Sequence, residues 1–293
     1  SVLGGWLKWD MGRTPLGVAF ATRPFNLAEI YLLAESPFDG ILQEDINSVI
    51  LAIRGFPITG KMPQYMIDPS APGGKVLMID GGKTPHRKRI ALASWKTSHD
   101  SWTASVMQAA DPDKGRYQRL IGLVNQVISS SERIDYLVFP ELSIPARWFI
   151  RIAQKLHSRG ICLIAGIEYQ HVGNGEVANQ IWGSYDHAGL GFSSMMVFRQ
   201  DKQRAALGEE RDLESLAGLS LKPRESWDSP PIIKHGDFAF SMLVCSELTN
   251  IGYRAGLGGH IDALFVPEWN RDIHTFDSLV ESAALDIHAY IIQ

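Results

Sequence analysis

From Ile90 onward the sequence alternates short apolar runs with longer amphipathic segments, and this rhythm limits the possible folds more than any other feature. Apolar residues recur at helical spacing over 115–129 and 145–158. The runs between them are apolar throughout, as in strands buried on both faces. The pattern therefore predicts an α/β fold or a layered sandwich of sheets and helices. We predict a third helix over 275–287, a hairpin over 231–245, and strands over 90–95, 136–139, 161–167, 194–199, 262–266 and from 289 onward.

Residues 1–85 differ in composition from the rest of the chain. A helix is predicted over 41–54, and the following stretch, 57–85, is rich in proline and glycine. We expect residues 1–85 to be an N-terminal extension or linker, or the tail of a preceding domain, and residues 86–293 to be the main domain. Because the chain starts without Met and stops in a strand-like segment, we expect a fragment of a longer polypeptide, truncated at its C-terminus.

Composition narrows the class of protein. Hydrophobic residues make up 45% and charged residues 20%, as in soluble globular proteins. The net charge of -4 does not favour nucleic acid as the main ligand. Two cysteines in apolar runs indicate a reducing compartment rather than a disulfide framework. With no membrane-span run and no signal-peptide pattern, we expect a cytoplasmic protein. The basic cluster at 86–89 is either a solvated flank or a contact for phosphate or RNA.

Two segments contain charged residues that could take part in catalysis. The apolar strand predicted over 136–139 leads into Glu141, which could be a general base at a strand end, or a capping or surface residue. In the segment 219–227, Lys222 could stabilise an oxyanion, and Glu225 could hold that lysine or transfer a proton. The same segment also fits an ordinary charged loop.

A third segment, 240–245, is an apolar run that ends on Cys245. A thiol at the carboxyl end of a strand can be a nucleophile, although a lone cysteine also fits a small buried side chain, as we predict for Cys162. A free thiol, with a pKa of about 8.5, is only slightly ionised at neutral pH, so a nucleophile here needs a neighbouring base or positive charge.

Taken in order, the pair Pro140-Glu141, then Lys222, then Cys245 resembles the nitrilase or carbon–nitrogen hydrolase superfamily. Further similar segments are 165–168, Asn179, 259–267 and 282–292. The resemblance implies a four-layer αββα sandwich, here with an extra N-terminal segment. It also implies hydrolysis of a non-peptide C–N bond, in an amide or nitrile, through a covalent cysteine intermediate.

In this interpretation Glu141 takes the thiol proton and later activates water, while Lys222 stabilises the tetrahedral intermediate. Lys202, directly after a predicted strand, is a rival for the lysine position. Glu225, Glu247 and Trp269 are candidates for binding substrate or supporting the catalytic groups, although Trp269 fits a place in the core or at the rim equally well. No cofactor is implied, and the nine histidines lack metal-site spacing.

The resemblance also bears on partners. It implies a small-molecule amide or nitrile substrate and assembly into homo-oligomers. Because nitrilase-like domains occur fused to other modules, including reverse transcriptases of bacterial antiviral systems, a covalently fused domain of a defence protein is a further expectation. The short interval between Lys222 and Cys245 motivates an alternative, a non-catalytic module for oligomerisation or ligand sensing. A third hypothesis is a nucleic-acid platform that uses residues 87–89.

Overall fold

The computed structural model describes residues 26–33, 48, 50–51, 60–67, 69–70, 75–82, 85–270 and 273–293. Within them the chain forms two β-sheets of six strands each. The first sheet has the order β1-β2-β9-β10-β11-β12, and the second has the order β3-β4-β5-β6-β7, with β8 beside β6. The strands of the first sheet are β1 (Gln64–Ile67), β2 (Lys75–Ile79), β9 (Ile232–His235), β10 (Phe238–Met242), β11 (Ala263–Phe265) and β12 (Tyr290–Ile292).

The second sheet combines parallel and antiparallel pairs. β3, β4 and β5 run parallel, while β5, β6 and β7 form antiparallel pairs. The strands are β3 (Ile90–Leu92), β4 (Tyr136–Ile144), β5 (Cys162–Gly173), β6 (Glu176–His187), β7 (Ser194–Asp201) and β8 (Ser220–Leu221). In the first sheet β10, β11 and β12 are parallel, so their carboxyl ends meet at one edge. That edge is where loops can bring polar side chains together.

All but the first of the described helices lie between strands in the chain. They are α1 (Leu27–Leu33), α2 (His99–Val106), α3 (Arg116–Ile128), α4 (Ala146–His157), α5 (Leu207–Ala217), α6 (Ile251–Leu257) and α7 (Ile273–Ile287), with a 3-10 helix at Cys245–Thr249.

Strand periodicity explains how the layers pack. Along β4, Tyr136 and Val138 point into the space between the two sheets, where they meet Phe240 of β10. Leu137 and Phe139, one position along, point to the opposite face and pack against α3 and α4. This alternation with a period of two lets one strand serve two apolar layers.

The outer face of the first sheet is covered in the same way. Val76 and Leu264 pack against Leu257 of α6 and Ala283 of α7. Helices therefore lie outside both sheets, and the expected α/β fold, a four-layer αββα sandwich, is confirmed.

The predicted helices over 115–129, 145–158 and 275–287 correspond to α3, α4 and α7, and the predicted hairpin corresponds to β9 and β10. The helix predicted over 41–54 lies almost wholly outside the described residues. Strands β1 and β2 were not predicted: β2 pairs in parallel with β9, so the first sheet extends into the region that the sequence assigns to an N-terminal extension. The long hairpin of β5 and β6 and the helix α5 were also missed.

Candidate active site

Glu141 lies on a bulge in β4. The regular pairing of β4 with β5 stops at Phe139 and resumes at Ile144, and Leu142 between them has a positive φ of 55°. Gly166 of β5 faces this bulge, and a Cβ atom there would lie 2.3 Å from the Cα of Glu141. The absence of a side chain at 166 therefore lets the backbone of Glu141 pack directly on β5.

A buried arginine also binds the backbone of the bulge. Arg116, in the first turn of α3, donates to the carbonyl oxygen of Ser143 at 2.7 Å and more weakly to that of Leu142 at 3.4 Å. Its guanidinium also pairs with Asp111, at 2.7 Å, and with Glu168. The carbonyl oxygens of Leu142 and Ser143 therefore have hydrogen-bond partners. These bonds help to hold Leu142 at its strained, positive φ.

The carboxylate of Glu141 accepts three hydrogen bonds and is 3% exposed. Its Oε1 accepts from Lys202 Nζ at 3.0 Å and from Asn179 Nδ2 at 2.8 Å. Its Oε2 accepts from the backbone N–H of Trp269 at 3.0 Å. An ionised carboxylate only accepts, so this arrangement of donors matches the charged form.

Lys202 follows β7 directly and is 1% exposed. Besides Glu141, its ammonium contacts Glu209 Oε2 at 2.6 Å. Glu209 lies in the first turn of α5 and also accepts from Asn179 and from the hydroxyl of Tyr169. Burial alone would lower the pKa of Lys202, but the charges of Glu141 and Glu209 outweigh it and raise that pKa. The lysine therefore stays an ammonium ion.

Glu209 is held ionised by the same contacts. Burial would raise the pKa of Glu209, but the charge and hydrogen bonds of Lys202, together with the bonds from Asn179 and Tyr169, lower it. The site thus holds one ammonium between two carboxylates, a buried arrangement that is stable only while all three groups are present.

Cys245 begins the 3-10 helix after β10 with a positive φ of 49°. Its N–H donates to the carbonyl oxygen of Pro267 at 3.1 Å, and Pro267 lies two residues before Trp269, which contacts Glu141. Burial raises the pKa of the Cys245 thiol and Glu141 raises it further, while the charge of Lys202 opposes both. The resting thiol is therefore protonated and needs a base to become a nucleophile.

Cys162 differs from Cys245 in its surroundings. It is the first residue of β5 and lies between the two sheets, and burial raises the pKa of its thiol. Both cysteines are free thiols. The comparison supports our prediction that Cys162 is a small buried side chain.

Lys222, in contrast, does not lie at this site. Its side chain is 61% exposed and pairs with Glu176 at 2.7 Å. The reason is topological: β8, just before Lys222, pairs with the first residues of β6, whereas Asp201, just before Lys202, pairs with Gln180, next to Asn179. Of the two lysines that the sequence offers, the structure therefore places Lys202, and not Lys222, beside Glu141.

The other predicted residues divide between the site and its surroundings. The Glu225 carboxylate lies 3.6 Å from Lys75 Nζ, and the backbone N–H of Glu225 donates to Asp201 at 3.1 Å. Trp269 reaches Glu141 through its backbone, while its ring stacks on Trp102, with centroids 5.7 Å apart. Glu247 is buried and bonds two backbone N–H groups next to Lys202 and Cys245.

The basic cluster at 86–89 makes ion pairs. Lys88 pairs with Asp237, and Arg89 pairs with Glu132. These pairs neutralise much of the charge that a nucleic-acid platform would need.

The sequence alone does not indicate that Glu209 belongs to the site. It also does not indicate that the buried amide of Asn179 bonds both Glu141 and Glu209. Asn179 was noted only as part of the resemblance. Two acidic residues in the first turn of α5, Glu209 and Glu210, are a helix-start signal that could have drawn attention to this segment. Among the described residues no group of three or more metal-binding side chains is arranged for an ion, and none of the described helices is long and apolar enough to cross a membrane.

No family model matches the chain, and no curated protein matches it at a significant level. Among solved structures, an amidase from Nesterenkonia sp. is similar at 15% identity, with a TM-score of 0.47 over 70% of this chain and 74% of that one. A mutant of the Nesterenkonia AN1 amidase, described as belonging to the nitrilase superfamily, has 15% identity and a TM-score of 0.48, over 72% and 77% of the two chains. Another structure of that amidase, with the same values, shows the acetamide moiety of fluoroacetamide covalently added at its active site cysteine.

Proposed function

We propose that this protein is a carbon–nitrogen hydrolase of the nitrilase type, which cleaves a non-peptide amide or nitrile through a covalent bond to Cys245. One observation carries the proposal: Lys202 Nζ lies 3.0 Å from Glu141 Oε1 in a buried site whose charges act on the Cys245 thiol. A base, a cation and a nucleophile that lie together are the groups that acyl transfer needs.

In the first half of the reaction Glu141 takes the proton of the thiol, and the sulfur attacks the carbonyl carbon of an amide. A C–S bond forms, and the carbonyl π electrons move to oxygen. The ammonium of Lys202 stabilises that negative charge, which in a buried site is worth more than in water. When the intermediate collapses, the C–N bond breaks and Glu141 returns the proton to the leaving nitrogen. With a nitrile, attack of the sulfur gives a thioimidate whose nitrogen takes the thiol proton back from Glu141. Water then adds to its carbon, and ammonia leaves as the C–N bond breaks, which gives the same thioester.

In the second half Glu141 takes a proton from water, and the resulting hydroxide attacks the thioester carbon. The C–S bond then breaks, and Glu141 gives its proton to the sulfur, which restores the thiol. The carboxylic acid leaves. Glu209 does not react in this scheme. It balances the charge of Lys202, so that Glu141 is free to accept and donate protons while the lysine remains positive.

The experiment is a screen of small aliphatic and aromatic amides and nitriles for ammonia release, with Cys245→Ala as the inactive variant and Cys162→Ala as the matched control. We expect turnover by the wild type and by Cys162→Ala, and loss of turnover in Cys245→Ala with an unchanged circular dichroism spectrum. Full activity of Cys245→Ala would overturn the proposal.

Alkylation tests the nucleophile without a known substrate. We expect iodoacetamide to modify Cys245 before Cys162 in the native protein, as followed by mass spectrometry, because the proposed base Glu141 and the ammonium of Lys202 act on the thiol of Cys245. Equal inertness of both thiols up to alkaline pH would favour the alternative, a non-catalytic module for oligomerisation or ligand sensing.

The finer expectations from the sequence belong to this proposal as well: a cytoplasmic location, homo-oligomers, and a role as a fused domain of a defence protein. Light scattering coupled to size-exclusion chromatography tests the oligomer, with a mass equal to one chain as the contrary result.

A further inference from the structure

Glu247 is a buried carboxylate that the proposed mechanism does not use. It lies in the 3-10 helix, two residues after Cys245, and is 5% exposed. Its Oε1 accepts from the N–H of Gln203 at 2.7 Å, and its Oε2 accepts from the N–H of Val244 at 2.8 Å. Gln203 follows Lys202 in the chain, and Val244 precedes Cys245.

We propose that Glu247 is a positioning residue: its carboxylate clamps together the two backbone segments that carry Lys202 and Cys245. The inference rests on the proposed function, since it assigns those two residues to one reaction. The segments come from different sheets, because Lys202 follows β7 and Cys245 follows β10. Their separation is therefore not set by strand pairing, and a side-chain bridge can set it.

The chemistry of the bridge requires a carboxylate. The two backbone N–H groups each need an acceptor oxygen, and neither may face another donor. An ionised carboxylate supplies two acceptor oxygens and no donor. A glutamine of the same size offers one acceptor oxygen and one NH2 group. Because the NH2 group is a donor, one of the two backbone N–H groups would face another donor and lose its hydrogen bond. An aspartate keeps both oxygens but is one methylene shorter, so it can satisfy the two donors only after the segments move.

Both ends of the clamp are attached to further structure. Glu247 and Val244 are also joined through the backbone, since the N–H of Glu247 donates to the carbonyl oxygen of Val244 at 3.0 Å. This turn encloses Cys245, whose positive φ is strained for a residue other than glycine. At the other end the amide of Gln203 bonds the backbone carbonyl oxygens of Asp201 and Glu225, at 2.9 and 3.0 Å. A change in Glu247 therefore reaches Cys245 and Lys202 directly.

The charged state of Glu247 decides whether the clamp closes. Burial raises the pKa of Glu247 to about 7, against the lowering effect of its two backbone bonds and of Lys202, while the charge of Glu141 raises it. Tyr253 of α6 is a further titratable group that this carboxylate affects, and Cys245 lies two residues away. Protonation turns one oxygen into a donor and removes an acceptor, so the clamp is complete only when Glu247 is ionised.

The test compares Glu247→Gln and Glu247→Asp with the wild type, using Glu176→Gln, which removes the carboxylate that pairs with the exposed Lys222, as the matched control. For the amide that the wild type hydrolyses fastest, we expect Glu247→Gln to lower kcat at least about tenfold while KM changes less than about threefold. Glu247→Asp should recover part of kcat. The wild-type acid limb near pH 7 should disappear in Glu247→Gln. Unchanged kcat and an unchanged acid limb in Glu247→Gln would overturn the inference.

A second readout needs no turnover, so it separates the clamp from the proposed function. The rate of Cys245 alkylation by iodoacetamide is measured between about pH 5 and pH 9. We expect a change of slope near pH 7 in the wild type and in Glu176→Gln, and none in Glu247→Gln. If the wild type hydrolyses no amide but shows this difference, the clamp stands and the hydrolase does not. If Glu247→Gln fails to fold, Glu247→Asp replaces it. An alkylation profile for Glu247→Asp that matches the wild type would then contradict the clamp.

Discussion

At the scale of single residues, the chemistry of the site depends on the charge of Lys202. Two carboxylates contact its ammonium, at 3.0 Å and 2.6 Å, in a part of the protein that is closed to solvent. Removing one partner of such a group leaves buried charge without compensation, which typically destabilises a protein by about 3–5 kcal/mol. We therefore expect Lys202 to affect stability as well as the proposed catalysis.

The first prediction separates the two lysines. Lys202→Met should lower kcat/KM by at least about 100-fold and lower the free energy of unfolding, because Glu141 and Glu209 then lie unpaired. The double variant Lys202→Met/Glu209→Gln should regain part of the stability but none of the activity. Lys222→Met, the control, breaks only an exposed pair with Glu176 and should change stability by less than about 1 kcal/mol. Amide hydrolysis and urea denaturation provide the measurements, and wild-type activity in Lys202→Met would contradict the assignment.

At the scale of elements, the bulge in β4 explains how a strand residue enters the site. In a regular strand the side chains of Glu141 and its neighbours would point alternately to the two faces of the sheet, and the backbone of Glu141 would pair with β5. The interruption between Phe139 and Ile144 turns the carboxylate toward Lys202 instead. Gly166 permits this, since its backbone touches that of Glu141.

The second prediction tests this contact. Gly166→Ala places a Cβ atom 2.3 Å from the Cα of Glu141 and 2.6 Å from the carbonyl oxygen of Pro140, so the bulge must move. We expect kcat to fall by at least about tenfold, since a displacement of about 1 Å at a catalytic group can lower the rate 100-fold.

The control for that variant is Gly122→Ala, inside α3, where a Cβ atom would meet nothing within 4 Å. It should leave kcat unchanged and raise the free energy of unfolding by up to about 1 kcal/mol, because alanine favours a helix over glycine. Equal kcat for Gly166→Ala and the wild type would show that the bulge does not set the position of Glu141.

At the scale of the whole molecule, the site lies where loops from the two sheets meet. Glu141, Asn179 and Lys202 belong to strands of the second sheet or follow them, while Cys245 and Trp269 follow strands β10 and β11 of the first. The unfolding of either sheet therefore destroys the site, and its buried charges make the stability of the whole protein depend on pH.

The third prediction concerns that dependence. The pKa of Glu247 is raised in the folded protein to about 7, so its contribution to stability is present below its ordinary value, about 4.5, and is lost as pH rises through about 7. The difference between these values corresponds to about 3 kcal/mol. The difference in the free energy of unfolding between Glu247→Gln and the wild type should therefore shift in favour of the variant, by up to this amount, as pH rises from about 5 to about 8.

Glu209→Gln is the control of opposite sign. The pKa of Glu209 is lowered in the folded protein, so its stabilising contribution is present above the ordinary value and is lost as pH falls. Relative to the wild type, Glu209→Gln should lose stability as pH rises from acid to neutral. Urea unfolding at several pH values measures both differences, and parallel pH profiles for the two variants would contradict the prediction.

Much of the fold follows from local patterns in the sequence. The helices α3, α4 and α7 have apolar residues at helical spacing, and β9 and β10 meet at a Gly-Asp turn, so a short window of residues identifies each of them. β1 and β2 were not predicted because their strand structure depends on pairing: β2 joins the first sheet beside β9, about 150 residues later in the chain.

The sequence by itself determined the class of the fold and two candidate groups, Glu141 and Cys245, since an apolar run typical of a strand leads into each of them. Only the tertiary structure decided which lysine lies with Glu141, because Lys202 and Lys222 each stand near the end of a strand. The pairing of β7 with β6 places Lys202 between Glu141 and Glu209, while β8 leaves Lys222 at the surface. Strand order is a long-range property that no local pattern encodes, and the charge of a buried lysine is stable only where such long-range packing brings carboxylates to it.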